Sequence, residues 1–534
     1  MIKKVLTVFL MLSIVFALLA GCGSGQNEDQ PSSTTAGTGS TSASGSGDGA
    51  AAWEPATVSV YTWLSYEESW GAKTKGEIKC FEELEKRTNT KVDWSMMSDT
   101  NSFELMMSSG ETTDVIWYSW SPSTQLKYAK AGLIQDIYPL VKEYAPNIMR
   151  MMDENPKLKK QLVTPDGKMY LVPWVTEDPI LTRNAGLAIR QDWLDKLGLA
   201  VPETADQLYD TFKQFRDRDA NGSGKPDEIM TGYSDQLYKL MYGFGTADDW
   251  HMADDGKTVV FGPTTENYKN ALKWFAKLYK EGILDPDYLS RDGDIYTKKV
   301  MANQVGLYLD EVFVISQFNM DSAASGTPTD FEPLGYLKYN GKRVSYNSTT
   351  KRVAQQYGSV ISSSAKDPAR IIKWLDYMFS DEGSQLMNWG IEGESYEMKD
   401  GKLAYTSAVT NDPQYESSVA RSKYAEPTWC GPQSGEAELA MLNDAGKKFR
   451  QAWADIDNTN AIEPYMFYTD AEQSTMTEYN TDLKTERDSW RDKFITGGLD
   501  IDAQWNNYIK ALGNMKLKDL IAAQQGAYDR FIGQ

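Results

Sequence analysis

From residue 57 onward, short apolar runs alternate with stretches patterned at helical spacing, and this alternation constrains the fold more than any other feature of the chain. Residues 57–61 read as a strand, and Ile78, Phe81 and Leu84 recur on one face of a helix that ends near Asn89. Residues 91–96 read as the next strand. Phe103, Leu105 and Met106 lie on a helix that stops at Gly110, and residues 114–120, DVIWYSW, read as a strand opening into an aromatic loop. Strands that alternate with helices pair in parallel, and ligands bind at the carboxyl ends of such strands. The expected class is α/β.

The globular part starts late. Lys3 and Lys4 form a positive region, residues 5–19 an apolar one, and Leu19-Ala20-Gly21-Cys22 a small-residue cleavage site ending in cysteine. That tetrapeptide looks like a bacterial lipobox, in which Cys22 is acylated (palmitate-type chains) and becomes the mature N-terminus. Residues 1–21 are therefore expected to be a lipoprotein signal peptide. Residues 22–52, dominated by Gly, Ser and Thr with polar residues and alanine between them, cannot bury enough apolar surface to order themselves and are expected to be a flexible tether. No later segment is long and apolar enough to span a bilayer.

A chain of 534 residues with 41% hydrophobic content supports several packing units. Its formal charge of -20 argues against nucleic acid, whose phosphates demand a basic surface, and against a role on anionic lipid. Apart from Cys22 there are two cysteines, Cys80 and Cys430, which an exported protein could join as one disulfide; the favoured reading is two unpaired buried thiols. A single histidine, His251, argues against Ser-His-Asp chemistry and His-based metal sites.

Residues 190–199 read as a short helix with Trp193, Leu194 and Leu197 on its apolar face and Gly198 at its end. Pro202 and Thr204 open a second helix carrying Leu208, Phe212 and Phe215. It runs into DRDANGSGKPDE, residues 217–228, a stretch of alternating oxygen donors around glycine that suits a hard cation such as Ca²⁺. Two registers fit. With Asp217 first, Asp219 and Asn221 follow, Gly222 is sixth and Glu228 takes the bidentate twelfth place, the EF-hand spacing. With Asp219 first, Asn221 and Ser223 follow, Lys225 offers its carbonyl, and Asp227 and Glu228 close the shell. Spacing slightly favours the first; without metal the same residues would make a solvated turn.

The run RQDWLDKLGLAVPETADQLYDTFKQF followed by DANGSGKPDEI resembles the family 1 extracellular solute-binding proteins of ABC importers, in particular the large lipoproteins that bind oligosaccharides and alginate fragments. GETTDVIWY, DGKMYLVP, NQVGLYLDE and the segment from Gly358 through GIEGESYEM extend the resemblance over nearly all the mature chain. It implies a two-lobe, type II periplasmic-binding-protein-like fold with a cleft at the hinge and extra C-terminal helices. It places lobe 1 at 53–173 and 355–390, and lobe 2 at 174–354 and 391–534. It also shifts the cation choice to the second register: Asp219, Asn221, Ser223, Lys225, Asp227 and Glu228 around a structural Ca²⁺.

Sugar rings stack their C–H faces on flat aromatics, and the chain holds 16 Trp and 30 Tyr. Trp63, Trp117, Trp120, Trp174, Trp250, Trp389 and Trp429 fall in expected loops or hinges, whereas Trp193, Trp274 and Trp374 sit on amphipathic helices and are expected in the core. With Tyr118, Asp310, Glu311, Glu392 and Tyr396, the loop tryptophans form the expected ligand set. The leading expectation is a non-enzymatic, monomeric carrier, lipid-anchored on the extracytoplasmic face, that closes on an oligosaccharide and presents it to an ABC permease. A lyase or glycoside hydrolase would need two carboxylates facing one bond, and no such signature stands out. A surface adhesin is the third class, which a lipid tether alone would permit.

Overall fold

The computed structural model describes residues 53–183, 185–231, 235–290, 293–454 and 456–533. The expected signal peptide, tether and Cys22 lie outside the described residues.

The first lobe is built on a six-stranded sheet. Its spatial order is Gly431–Pro432, Val172–Val175, Ala354–Ile361, Val115–Ser119, Ala56–Thr62, Thr90–Met96. Val58, Val60 and Val115 are buried on one face of this sheet and Ile116 on the other, within the core that also takes Phe81, Leu84 and Phe103 from the helices Lys79–Thr88 and Thr100–Ser109. The three N-terminal strands pair in parallel, with Ala56 opposite Thr90 and Val60 opposite Val115. Ala354–Ile361 departs from the expected all-parallel sheet, because it runs antiparallel to both of its neighbours. The chain re-enters from the other lobe at the cleft end of the sheet and so travels the opposite way. Gly358 lies opposite Pro173, where a Cβ would stand 2.6 Å from the Val172 carbonyl oxygen, so only glycine fits.

The second lobe centres on an antiparallel sheet of Leu307–Glu311, Ala185–Arg190 and Phe331–Leu334, with Ala185–Arg190 in the middle. Gly198, at φ 66°, ends the helix Gln191–Leu197, and the Thr204 hydroxyl accepts from the Gln207 amide to cap Ala205–Asp217. Trp193, Trp274, Trp453 and Trp505 are buried in this core together with the helices Glu266–Lys280, Asp470–Ile495, Ile501–Asn514 and Leu517–Gly533. Trp374 is buried in the first core. Among the described residues no helix is long and apolar enough to cross a membrane.

One boundary differs from expectation. The first part of 391–534 packs on the first lobe, not the second. Cys80 donates its amide to the Tyr424 carbonyl, Trp70 donates to Ser422 at 3.0 Å, and Gly431–Pro432 joins the first sheet. Trp429 and Cys430 are buried in the first core, and Trp389, Tyr396, Tyr405 and Met441 form a small satellite core beside it. Lobe membership follows which apolar surface a segment covers, and local pattern does not specify that. Cys80 and Cys430 are free and buried, and burial pushes both thiols well above their ordinary value.

Candidate ligand-binding cleft

Between the two cores lies a cavity of about 1020 Å³. The first lobe contributes Ser121, Pro122 and Ser123 at the start of the helix Pro122–Lys130, and Tyr357 from the strand Ala354–Ile361. The crossing segments contribute Trp174, Thr176, Asn347, Ser348, Arg352 and Gln355. The second lobe closes the space with Tyr238, Tyr242, Trp250, Tyr346, Tyr468, Asp248, Asp249, Arg487 and Arg491. A smaller cavity of about 410 Å³ on the first lobe, lined by Trp63, Tyr66 and Trp429, shares Trp174 and Tyr357 with the large one. Those two rings, 6.4 Å apart, stand where the two spaces meet.

The polar groups of the wall are held in place by one another. Asp248 accepts from the Tyr268 hydroxyl and pairs with Arg491, which also lies 2.6 Å from Asp488. Arg487 lies 2.8 Å from Asp488 and donates to the Asp248 main-chain carbonyl. Burial works against the charge on Arg491, yet the Asp248 carboxylate and its neighbours hold the proton more tightly than usual. Asp249 is paired with Lys484 at 2.6 Å. Gln355 receives a bond from Arg352 and donates to Thr176, joining two segments that pass between the lobes. The indole nitrogen of Trp174 and Nε of Arg352 are buried donors with no partner among the described residues.

Trp174 and Trp250 line the large cavity, while Trp63 and Trp429 line the small one, packed edge to face at 4.2 Å. Tyr118 is half-buried and stacks on Phe103 at 3.6 Å behind Trp63. The expectation for Trp117 and Trp120 is corrected. Both are fully buried, Trp117 in a near-parallel array with Trp374 and Trp429, and Trp120 donating to the Ile116 carbonyl. Trp117 lies within the strand Val115–Ser119 and Trp120 directly after it, its amide held at 2.7 Å by the Gln356 carbonyl, so the chain has not yet left the sheet and both rings pack into the core. Trp389 and Tyr396 are likewise corrected, since they form the satellite core, with the Tyr396 hydroxyl accepting from Gln385. Glu392 is exposed and lines neither cavity. Asp310 and Glu311 end the strand Leu307–Glu311 beside Ala185, which lines the cavity; their side chains lie outside the described residues.

The sequence reading missed Tyr238, Tyr242, Tyr346, Tyr357, Tyr468, Arg352, Gln355 and the Arg487/Arg491 pair. Only the last carried a signal, two arginines one helical turn apart on an otherwise polar helix.

The loop expected to hold a cation, residues 217–228, belongs to the second lobe and lines neither cavity. Asp219, at φ 52°, accepts from the Gly224 amide at 3.1 Å, and Asn221 Oδ1 accepts from Ser223. Ser223 donates to the Lys225 carbonyl and to Asp227, which also accepts from Asn221 and Gln304. Glu228 is 1% exposed, its Oε1 accepting from the Asn221 amide and its Oε2 without a partner. Burial pushes the Glu228 carboxyl up, and Asp227 and Asp219 add to this. A buried carboxylate with an orphaned oxygen among five further oxygen-bearing groups fits a hard cation. Asp217 is half-exposed and pairs with Arg216 instead, which disfavours the first register.

The chain is similar to known proteins over most of its length. The family model described as bacterial extracellular solute-binding protein matches residues 67–385. The fructooligosaccharide ABC transporter substrate-binding protein FusA of Streptococcus pneumoniae serotype 4 is 26% identical over 489 residues, covering 86% of this chain and 88% of FusA. Lipoprotein LipO of Bacillus subtilis is 30% identical over 369 residues, covering 64% of this chain and 70% of LipO. Among solved structures, alginate-binding protein AlgQ2 without calcium ion superposes with TM-score 0.70 at 22% identity, over 90% of this chain and 99% of that one. An EF-hand mutant of FusA with fructo-nystose gives 0.68 at 23%, over 89% and 99%.

Proposed function

The chain belongs to the family of bacterial extracellular solute-binding proteins, and from that premise we propose that it captures an oligosaccharide between its lobes and delivers it to the permease of an ABC importer. The cleft carries this reading. About 1020 Å³ is at the upper end of ordinary ligand pockets. Its wall combines rings that can stack on sugar faces with carboxylates, guanidiniums and amides that match hydroxyls. Both lobes contribute, so ligand contacts made on each side favour a hinge-closed state. The role is binding and release, without cleavage.

Two further elements complete the proposal. Ca²⁺ held by Asp219, Asn221, Ser223, the Lys225 carbonyl, Asp227 and Glu228 stabilises the second lobe, supported by the orphaned Glu228 oxygen. Acylation at Cys22 anchors a monomer to the extracytoplasmic face through the 22–52 tether, supported by the Leu19–Cys22 pattern. A Cys22→Ala variant that still sediments with membranes in high salt would rule that anchor out.

The test is calorimetry of the purified protein against a panel of oligosaccharides, followed by chromatography of the recovered ligand. Saturable binding with the ligand returned intact is expected. Recovery of shortened products would make the protein an enzyme, and no binding across the panel would remove the oligosaccharide reading.

A further inference from the structure

Resting on the oligosaccharide reading, we infer that the cleft selects a neutral chain and rejects a polyuronate. The reason is how its charges are spent. Arg487 and Arg491 line the cavity and would be the natural receivers of a ligand acid, but the wall itself already supplies Asp248 and Asp488 to both. Lys239, also in the wall, is engaged as well. On the acidic side, Asp249 is paired with Lys484, and Glu463 with Lys157 at 3.3 Å. Arg352 also lines the cavity; among the described residues it makes no ion pair with a carboxylate, but donates to Gln355 and lies over Tyr465.

One guanidinium can meet one carboxylate, whereas a polyuronate brings one on every ring. Each acid beyond the first would lose its hydration without gaining a cation, in a space that already holds four carboxylates. The formal charge of -20 adds long-range repulsion for a polyanion approaching the mouth. Sugar hydroxyls face no such penalty. They donate to the free lone pairs of paired carboxylates and accept from guanidinium N–H groups, so internally neutralised ion pairs are good partners for a neutral chain.

The experiment compares tri- to pentasaccharides of two kinds with the whole mature protein: neutral fructo-, gluco-, xylo- and manno-oligosaccharides, and galacturonate and guluronate oligomers of matched length. Titrations are run at low and high salt, about 0.05 and 0.5 M. At least one neutral series should bind, with affinity shifting less than about twofold with salt, and no uronate should come within roughly tenfold of it. A uronate that binds as tightly as the best neutral sugar, and weakens as salt rises, overturns the inference while leaving the oligosaccharide reading standing. If neither kind binds, the oligosaccharide reading itself falls and this inference with it. A second arm uses Asp488→Asn, which releases part of Arg487 and Arg491. In a variant that melts like the parent, the preference for neutral over uronate ligands should narrow by about threefold or more. An unchanged preference would overturn the charge-pairing explanation.

Discussion

Lys75 and Glu67 form a closed ion pair, 2.7 Å from ammonium to carboxylate, with side chains 0% and 2% exposed. Glu426, 351 residues along the chain from Lys75, takes a second bond from the same ammonium. Burial and the nearby Glu426 push the Glu67 carboxyl up, whereas Lys75 holds Glu426 low in spite of burial. One cation thus serves two enclosed carboxylates and ties the 396–441 region to the first lobe. Lys75→Met should strand both acids and cost about 3–5 kcal/mol, and combining it with Glu67→Gln and Glu426→Gln should recover much of the loss. Urea denaturation of the single and triple variants measures this; a single variant as stable as the parent would refute the enclosure.

His251 gives a pH prediction free of other histidines. Its Nδ1 meets the Met252 carbonyl, its Nε2 is buried without a partner, and burial holds its pKa below the ordinary value near 6.5. The unfolded chain therefore takes up this proton first as pH falls. Stability from the buried neutral ring is full above about pH 6.5 and declines as pH drops below it. His251→Phe should remove that part of the pH dependence. The parent-minus-variant difference in denaturation midpoint, followed from pH 7.5 to 5, should shrink for a ring that titrates this way, and a flat difference would contradict it.

Chelation should lower the melting temperature of metal-loaded protein, because an ion that binds only the native state adds RT ln(1 + [L]/Kd) to stability. Asp227→Ala should melt like the chelated parent and respond no further to chelator. An identical melt of the parent with and without chelator would remove the Ca²⁺ site.

Cleft and core tryptophans should separate cleanly. Trp174→Ala and Trp250→Ala each remove a cavity ring, and by analogy with base stacking at about 1–3 kcal/mol per ring, affinity should fall about 5- to 150-fold. Trp117→Ala and Trp389→Ala should instead cost about 3–5 kcal/mol of stability and leave affinity per folded molecule nearly unchanged. Affinity and thermal melts measured on all four variants decide it; an affinity loss confined to the second pair would place the ligand elsewhere.

The parts of this protein that were legible in its sequence rest on short-range physics. A helix end needs Gly198 at positive φ and a cap such as Thr204, and both signals lie within one turn of the residues they control. Oxygen donors crowded into residues 219–228 bond one another because the loop is short: Asn221 and Ser223 donate to Asp227, and the Asn221 amide donates to Glu228. The α/β class followed from the alternation of patterns, each of which is local.

What only the tertiary structure decided is which face each ring finds. Trp117 and Trp174 both sit in strands flanked by turn-like sequence, yet Trp117 is sealed among Phe81, Trp94 and Trp374, while Trp174 borders the cleft. A one-residue step along a strand sends a side chain to the opposite face, and where the strand stops pairing depends on partners far away in sequence. Lys75 finds Glu426, Trp63 finds Trp429, and Arg491 finds Asp248 across hundreds of residues, because burial of charge and of aromatic area is a property of the assembled lobes. The residue types were set by the chain; their sorting into core, ion pair and ligand wall was set by packing.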